Sequence, residues 1–306
     1  MRMSRRTTTV LVASVLFAGG IAAPAAAHGG GGDRSTGSSG QRPAEKLHAI
    51  GLSDAGKTLV SFRTDDPRGA RPIGPVTGLD GDGSLVGIDF RVQDGKLYGV
   101  GDAGGIYVLD TKRAQATKVG DLSEDLEGEY FGVDFNPAAN ALRIVSDTGQ
   151  NLRQPFGTST PDTPDEPTVA DGELTDPATP PATGRVPAEG VSAAAYTNND
   201  LSAETATVLH DLDVAGNPDR LDIQSPANAG TLAAVGNLGV DAGADAGFDI
   251  YSTVREDRTR SNQGFAVLNV GGADRLYSVN LQTGQASDLG RFRTSVTDLA
   301  IPLGQR

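Results

Sequence analysis

The chain has no cysteine, no tryptophan and only two methionines, and aromatic residues make up 5% of its 306 positions. Without cysteine there is no disulfide, no thiol nucleophile, no cysteine-ligated metal and no lipid-anchored N-terminal cysteine. Without tryptophan, the flat faces that grip sugar rings are left mainly to six tyrosines. Helical periodicity is missing too. No apolar run keeps a 3.6-residue repeat, so helices are expected to be nearly absent. Basic charge is scarce: 26 Lys and Arg stand against 39 Asp and Glu, a net −13. Such a balance repels nucleic acid and anionic lipid and favours cations and solubility.

The start of the chain reads as an export signal. Arg2, Arg5 and Arg6 precede an apolar and small-residue run over 7–23, and Ala25-Ala26-Ala27 has the form of a cleavage site. The run is too short and too interrupted for a membrane span. Ser4-Arg5-Arg6 followed by Thr8 and Thr9 favours general secretion over twin-arginine export. A secreted, extracellular protein cleaved after Ala27 is expected, with no membrane insertion, and a monomer. Loss of residues 1–27 removes three Arg and no acid, moving the net charge from −13 to −16. Residues 28–46, rich in Gly and Ser, read as a flexible leader.

From Leu47 onward, short β-runs are separated by Gly, Asp and Asn turns. GIYVLDTKRAQATKVGDL (105–122) overlays RLYSVNLQTGQASDLGRF (275–292) without a gap, placing Tyr107 on Tyr277 and Gly120 on Gly290. The phrase glycine–apolar–Asp–apolar opens several units, LVGIDF, YFGVDF and GFDI among them. Phasing this repeat gives four complete four-stranded units, with three strands left over at the beginning and one, VTDLAIP, at the end. Three plus one completes a fifth unit. The expected fold is therefore all-β, a propeller of five four-stranded blades over 47–302 closed by pairing the two termini, with six blades as the alternative. Residues 155–189 hold eight prolines and read as a mobile loop inserted in the third unit, with a short pairing strand near 169–174.

Four strings, GVDFNPAANALRIVSDTGQNLR (132–153), AAAYTNND (193–200), SPANAGTLAAVGNLGVD (225–241) and GFDI (247–250), resemble a family of secreted bacterial propeller-like proteins known only as a domain of unknown function. The resemblance spans nearly all of 47–302 and implies a propeller-type fold and export, with no assigned activity. His210, where the family pattern has an aromatic Tyr, and the length of the proline-rich insertion depart from it.

Chemistry is harder to place. The histidines are His28, His48 and His210, which assemble no nucleophilic triad, so no catalytic residue is assigned. Asp80-Gly81-Asp82-Gly83-Ser84 resembles part of a calcium loop, but the twelfth position is Arg91 where a carboxylate is needed, so a tight turn is expected. The third unit concentrates polar groups that no other unit repeats: Asp134, Asn136, Arg143, Asp147, Gln150, Asn151 and Arg153 are the candidate binding residues. Asp89, Asp134, Asp249 and Asp298 are expected at one equivalent place on four innermost strands, with Ala195 at that place in the fourth unit. They read as latches onto the neighbouring blade in preference to a metal site, and no cofactor is expected beyond Ca²⁺ as the one candidate. The functional expectation is a secreted non-catalytic binding or scaffold module for an extracellular glycan, protein or cell-envelope component. A carbohydrate-active hydrolase using paired carboxylates is the alternative.

Overall fold

Short alternating runs cut by turn residues can satisfy their backbone groups only by pairing with one another. In a computed structural model the described residues are 44–157, 163–164, 166–216 and 218–305. The expected export signal, the leader as far as residue 43, and 158–162 and 165 of the insertion lie outside them.

The chain opens with β1 (His48–Ser53), β2 (Thr58–Arg63) and β3 (Asp66–Pro75). The second blade is β4 (Leu85–Phe90), β5 (Leu97–Gly101), β6 (Gly105–Asp110) and β7 (Gln115–Asp121). The third is β8 (Phe131–Asn136), β9 (Ala141–Ser146), β10 (Asn151–Pro155) and β11 (Val169–Ala170), followed by a separate hairpin of β12 (Thr175–Pro177) and β13 (Arg185–Pro187). The fourth is β14 (Val191–Tyr196), β15 (Leu209–Asp213), β16 (Arg220–Gln224) and β17 (Leu232–Asn237). The fifth is β18 (Ala242–Arg255), β19 (Arg258–Val270), β20 (Ala273–Val279) and β21 (Ala286–Arg291), and β22 (Asp298–Ala300) ends the described strands. Five antiparallel four-stranded sheets make a five-bladed β-propeller, not a six-bladed one. A 3₁₀ turn over Ala227–Ala229 is the one helical element among the described residues.

The first blade has the order β22-β1-β2-β3, with Ile50 opposite Ala300 and Leu52 opposite Asp298. The last strand is thus the innermost strand of the first blade, and closure leaves neither terminal blade with an open edge at the axis. A β-bulge between the third and fourth strands recurs at Ile106/Tyr107 and Leu276/Tyr277, the positions that overlay in the two matching segments.

Because side chains alternate along a strand, each blade offers one face to each neighbour. Five buried apolar clusters result, one per seam. Val60 and Phe62 of the first blade meet Phe265 and Phe292 of the fifth, and Leu52 and Leu59 meet Ile88 and Leu97 of the second. Tyr98 of the second blade meets Phe135 and Phe156 of the third edge-on. Leu212 and Leu221 of the fourth blade pack on Phe248 and Leu268 of the fifth.

Two expectations need correction. The leader was drawn to residue 46, yet Ala44 packs on the cluster between the first and fifth blades, and Glu45 receives hydrogen bonds and gives one to Gln263. Within residues 155–189 the expected pairing strand is β11, beside β10, but the remainder is not all mobile loop: β12 pairs with β13, and Leu174 and Ala188 are buried in the cluster between the third and fourth blades. The prolines of β12 and β13 lie at strand ends, where a missing N–H costs little.

A protein lacking residues 294–306 loses β22 and the buried Val296, Leu299 and Ile301. It is expected to aggregate through the two exposed edges, read by size-exclusion chromatography and melting. A monomer with an unchanged melting curve would contradict closure by this strand.

Candidate functional site

The repeated Gly-x-Asp phrase lies on the innermost strands. Gly87, Gly132 and Gly247 are there for close approach, not for turning. A Cβ on Gly132 would lie 2.4 Å from the Ala194 nitrogen, one on Gly87 2.4 Å from Val133 Cγ2, and one on Gly247 2.5 Å from Asp298 Cα. Two residues on, the aspartate reaches the same neighbouring strand. Asp89 accepts the Phe135 N–H (2.8 Å), Asp134 the Tyr196 N–H (3.0 Å), Asp249 the Ile301 N–H (2.6 Å) and Asp298 the Ile88 N–H (2.9 Å). Each bond runs from one blade to the next, always in the same rotational direction.

Asp298 is not at the level of the other three, as the sequence phrase suggested. Its Cα sits against Gly247, two residues before Asp249, and its carboxyl binds the N–H preceding Asp89. The place equivalent to Asp134 in β22 is Ala300, so Asp298 stands one pleat nearer the start of the strands. The match of VTDLAIP to the other phrases was a match of residue types, not of register.

Oxygens of Asp89, Asp134 and Asp249 all lie within 4.8 Å of one another, and all three side chains are buried. Asp249 belongs to the fifth blade, which adjoins neither the second nor the third, so the three carboxyls meet across the propeller axis. Burial, and then the charges of their neighbours, hold Asp89 and Asp134 well above the ordinary carboxylate range, while burial pushes Asp249 up to about 7. Three like charges at this spacing have two forms of relief: retained protons, or a cation. Three carboxylate oxygens gathered this closely form a group that could hold one metal ion.

The candidate residues of the third blade go to four places. Asp134 is at the axis. Asn136 Oδ1 caps the turn after β8, accepting the Ala138 and Ala139 N–H groups at 3.0 Å. Arg143, Asn151 and Arg153 converge on Asp171: Arg143 donates to Asn151 (2.6 Å), Asp171 (2.8 Å) and Asn228 (2.7 Å), and Arg153 adds Nε to Asp171 at 3.0 Å. Arg143 and Asn151 are buried in the seam with the fourth blade, where their polar atoms are taken up by protein partners. Asp147 and Gln150 hold a loop: Asp147 accepts the Glu129 and Tyr130 N–H groups, and Gln150 accepts from Glu127 N–H and donates to the Asp125 carbonyl.

That loop is one wall of a funnel of about 540 Å³ at the starts of the innermost strands. The first, second, third and fifth blades all contribute. Glu129, Tyr130 and Phe131 stand opposite Asp245 and Ala246, with Ser84, Asp102, Thr297 and Asp298 between them. Half-buried Asp298 is the step between this mouth and the axial aspartates. Asp245, exposed at the rim, is pushed up to about 6, by partial desolvation first and then by Asp274 and Glu129. Water at the rim screens part of that effect. Sequence reasoning missed Glu129, Asp245 and Thr297 and had Tyr130 only as one of six tyrosines, because none repeats and residues 129 and 297 meet only once the ring has closed. A larger groove of about 1300 Å³ lies between residues 45–47 and the β18–β19 arm, but it mixes Lys46, Arg255 and Arg260 with Glu45 and Glu256. The calcium-like loop uses its groups internally: Asp82 accepts the Ala103 N–H (2.6 Å) and the Tyr107 hydroxyl, and the Asp80 carbonyl accepts Lys118 Nζ (2.8 Å). Burial lowers His210 to about 4 and keeps it neutral.

Residues 58–300 match the family model described as Domain of unknown function (DUF4394), and the chain belongs to that family. No curated protein matches it. Among solved structures, a structural-genomics protein of unknown function from Bacteroides thetaiotaomicron is 14% identical over 87% of this chain and 69% of its own, with a TM-score of 0.41. Sqt1 of Saccharomyces cerevisiae is 14% identical over 82% of this chain and 63% of its own, with a TM-score of 0.37.

Two outcomes follow from the axis. Gly132→Ala is expected to lose about 2 kcal/mol or more of unfolding free energy, since the new methyl meets backbone that cannot give way. Gly243→Ala, with nothing nearer than 3.6 Å, is the control that should stay close to wild type in denaturant titration. The second outcome is a pH dependence. The carboxyls raised in the folded state contribute stability below the unfolded-state value, which is lost as pH rises through the folded value, about 7 for Asp249. Melting temperature should therefore fall between mild acid and pH 8. Asp134→Asn, which keeps an oxygen for Tyr196, should flatten that fall; parallel wild-type and variant curves would remove the axial carboxyls as its cause. Calcium restoring the wild type at pH 8, but not the variant, would identify a cation as the relief instead of protons.

Proposed function

We propose that this member of the DUF4394 family is a secreted, non-catalytic binding module whose rigid ring presents one ligand site at the mouth of its axis. The observation that supports this reading is the funnel of about 540 Å³, a volume typical of small-ligand sites, built jointly by four blades. One wall is fixed by Asp147 through two backbone N–H groups, so the site is largely formed before a ligand arrives. Glycans, protein segments and cell-envelope components are the classes an exported propeller would meet.

A second reading has one observation in its favour. Asp245, with its carboxyl near 6, shares the funnel with Glu129, and a raised acid near a second carboxyl is the requirement of a glycoside hydrolase.

The test is a thermal-shift screen of the mature protein and its Tyr130→Ala variant against glycans, amines and divalent cations. A ligand stabilises the state it binds. The expected result is a class of compound that raises the wild-type melting temperature and leaves the variant unmoved. Equal shifts in both proteins would place binding elsewhere, and turnover of a nitrophenyl glycoside abolished by Asp245→Asn would establish the hydrolase.

A further inference from the structure

We infer that the ligand of the funnel is an organic cation, an ammonium or guanidinium group on a short stem. This rests on the funnel being the binding site and adds the chemistry it selects.

Three features carry the inference. The first is sign. Among the described residues lining the funnel, Asp102, Glu129 and Asp245 are acidic, Asp298 at its base is an acid that burial holds well above the ordinary carboxylate range, and none is Lys, Arg or His. A cleft lined by one sign of charge, with low-dielectric walls such as Leu126, Phe131 and Ala246, focuses its field on whatever enters. The chain's net charge of −13 adds to that field at long range.

The second feature is spacing. Among the described residues, the one group of three carboxyls with oxygens within 4.8 Å of one another is Asp89, Asp134 and Asp249 below. No three of the funnel carboxyls form such a group. They suit a ligand whose positive charge is spread over several N–H donors, each able to reach a different acceptor.

The third is the aromatic ring. Tyr130 is half-buried on the wall, its hydroxyl turned to Glu129 at 3.3 Å, and it lies beside Phe131 and across from Ala246. An aromatic side chain beside a carboxylate can hold a cation by its ring face and by charge together. The size of the funnel admits a side chain or a small amine and excludes a folded partner.

The experiment titrates the mature protein by calorimetry, at low and at high salt, with agmatine, a short Lys/Arg peptide, chitotriose, citrate and calcium chloride. The proteins are wild type, Tyr130→Ala, and the double variant Glu129→Gln with Asp245→Asn, each first shown to melt cooperatively. Agmatine or the peptide should bind the wild type at low salt and weaken at high salt. The double variant should bind roughly tenfold more weakly, the equivalent of about 1.4 kcal/mol. Preference for agmatine would identify a free amine as the source of the charge, and preference for the peptide a basic side chain of a partner. Failure of both cations to bind wild type at low salt overturns the inference. Binding of chitotriose or citrate that Tyr130→Ala abolishes and the double variant does not would overturn it while leaving the funnel as the site. Calcium alone displacing the cations would assign the funnel to a metal and overturn it as well. Cations that bind wild type, Tyr130→Ala and the double variant alike would overturn both the inference and the reading on which it rests.

Discussion

An innermost propeller strand has a sheet partner on one side only, so half of its N–H groups have nothing in their own sheet to receive them. The Gly-x-Asp phrase answers that constraint. The glycine admits the neighbouring strand to a distance at which any Cβ would collide, and the aspartate two residues on accepts one of its N–H groups. Neither half works alone. A side chain at position 132 would push the fourth blade out of reach of Asp134, and an apolar residue at 134 would leave the Tyr196 N–H buried and unpaired. The repeat of this phrase along the chain is therefore a repeat of contacts between blades. The apolar seams outside it can close only to the distance that the latches set.

The same device creates the molecule's main electrostatic tension. A five-bladed ring is narrow, and latches at one level bring their carboxyls together across the axis. The ring carries three at that level, not five: Asp298 is stepped one pleat toward the mouth, and β14 has Ala195. Both departures reduce crowding among like charges. What remains is relieved by keeping carboxyls neutral or by a cation, either of which costs less than three buried anions.

The fold was legible because repetition is written in residue types. Four units, three leading strands and one trailing strand were enough to give five blades and terminal closure. Register was less legible: the aspartate of VTDLAIP resembles that of GVDF, yet it stands two residues out of phase, and only the backbone of β18 and β4 on either side reveals this. The polar set of the third blade was visible as a set, but its dispersal among axis, seam, turn and funnel wall was not. Spacing along a strand says which face a residue is on and nothing about what stands opposite. The funnel was invisible for a related reason. Its residues come from the connections entering β4, β8 and β22, from the turns after β1 and β5 and from the start of β18, segments that differ from blade to blade and that only closure brings together.

The seam between the third and fourth blades is where the repeat gives way most. β11 has two residues, so the outer edge of the third blade is short, and the apolar cluster of this seam is supplemented by polar groups. Arg143 reaches Asn228 on the fourth-blade side, and Arg220 of that blade binds Asp176 on the inserted hairpin at 2.6 Å. The insertion thus replaces missing sheet with a clasp of ion pairs whose geometry is fixed by buried partners, a source of specificity more than of raw stability. Behind the clasp, Asp211 is fully buried with neither oxygen hydrogen-bonded, and burial raises it well above the usual range; Asp222 beside it is raised to about 6 for the same reason. Both carboxyls shift in the direction of the axial ones. The axis and this seam, at different places in the ring, therefore make the closed propeller a binder of protons, and each resists opening most strongly in mild acid.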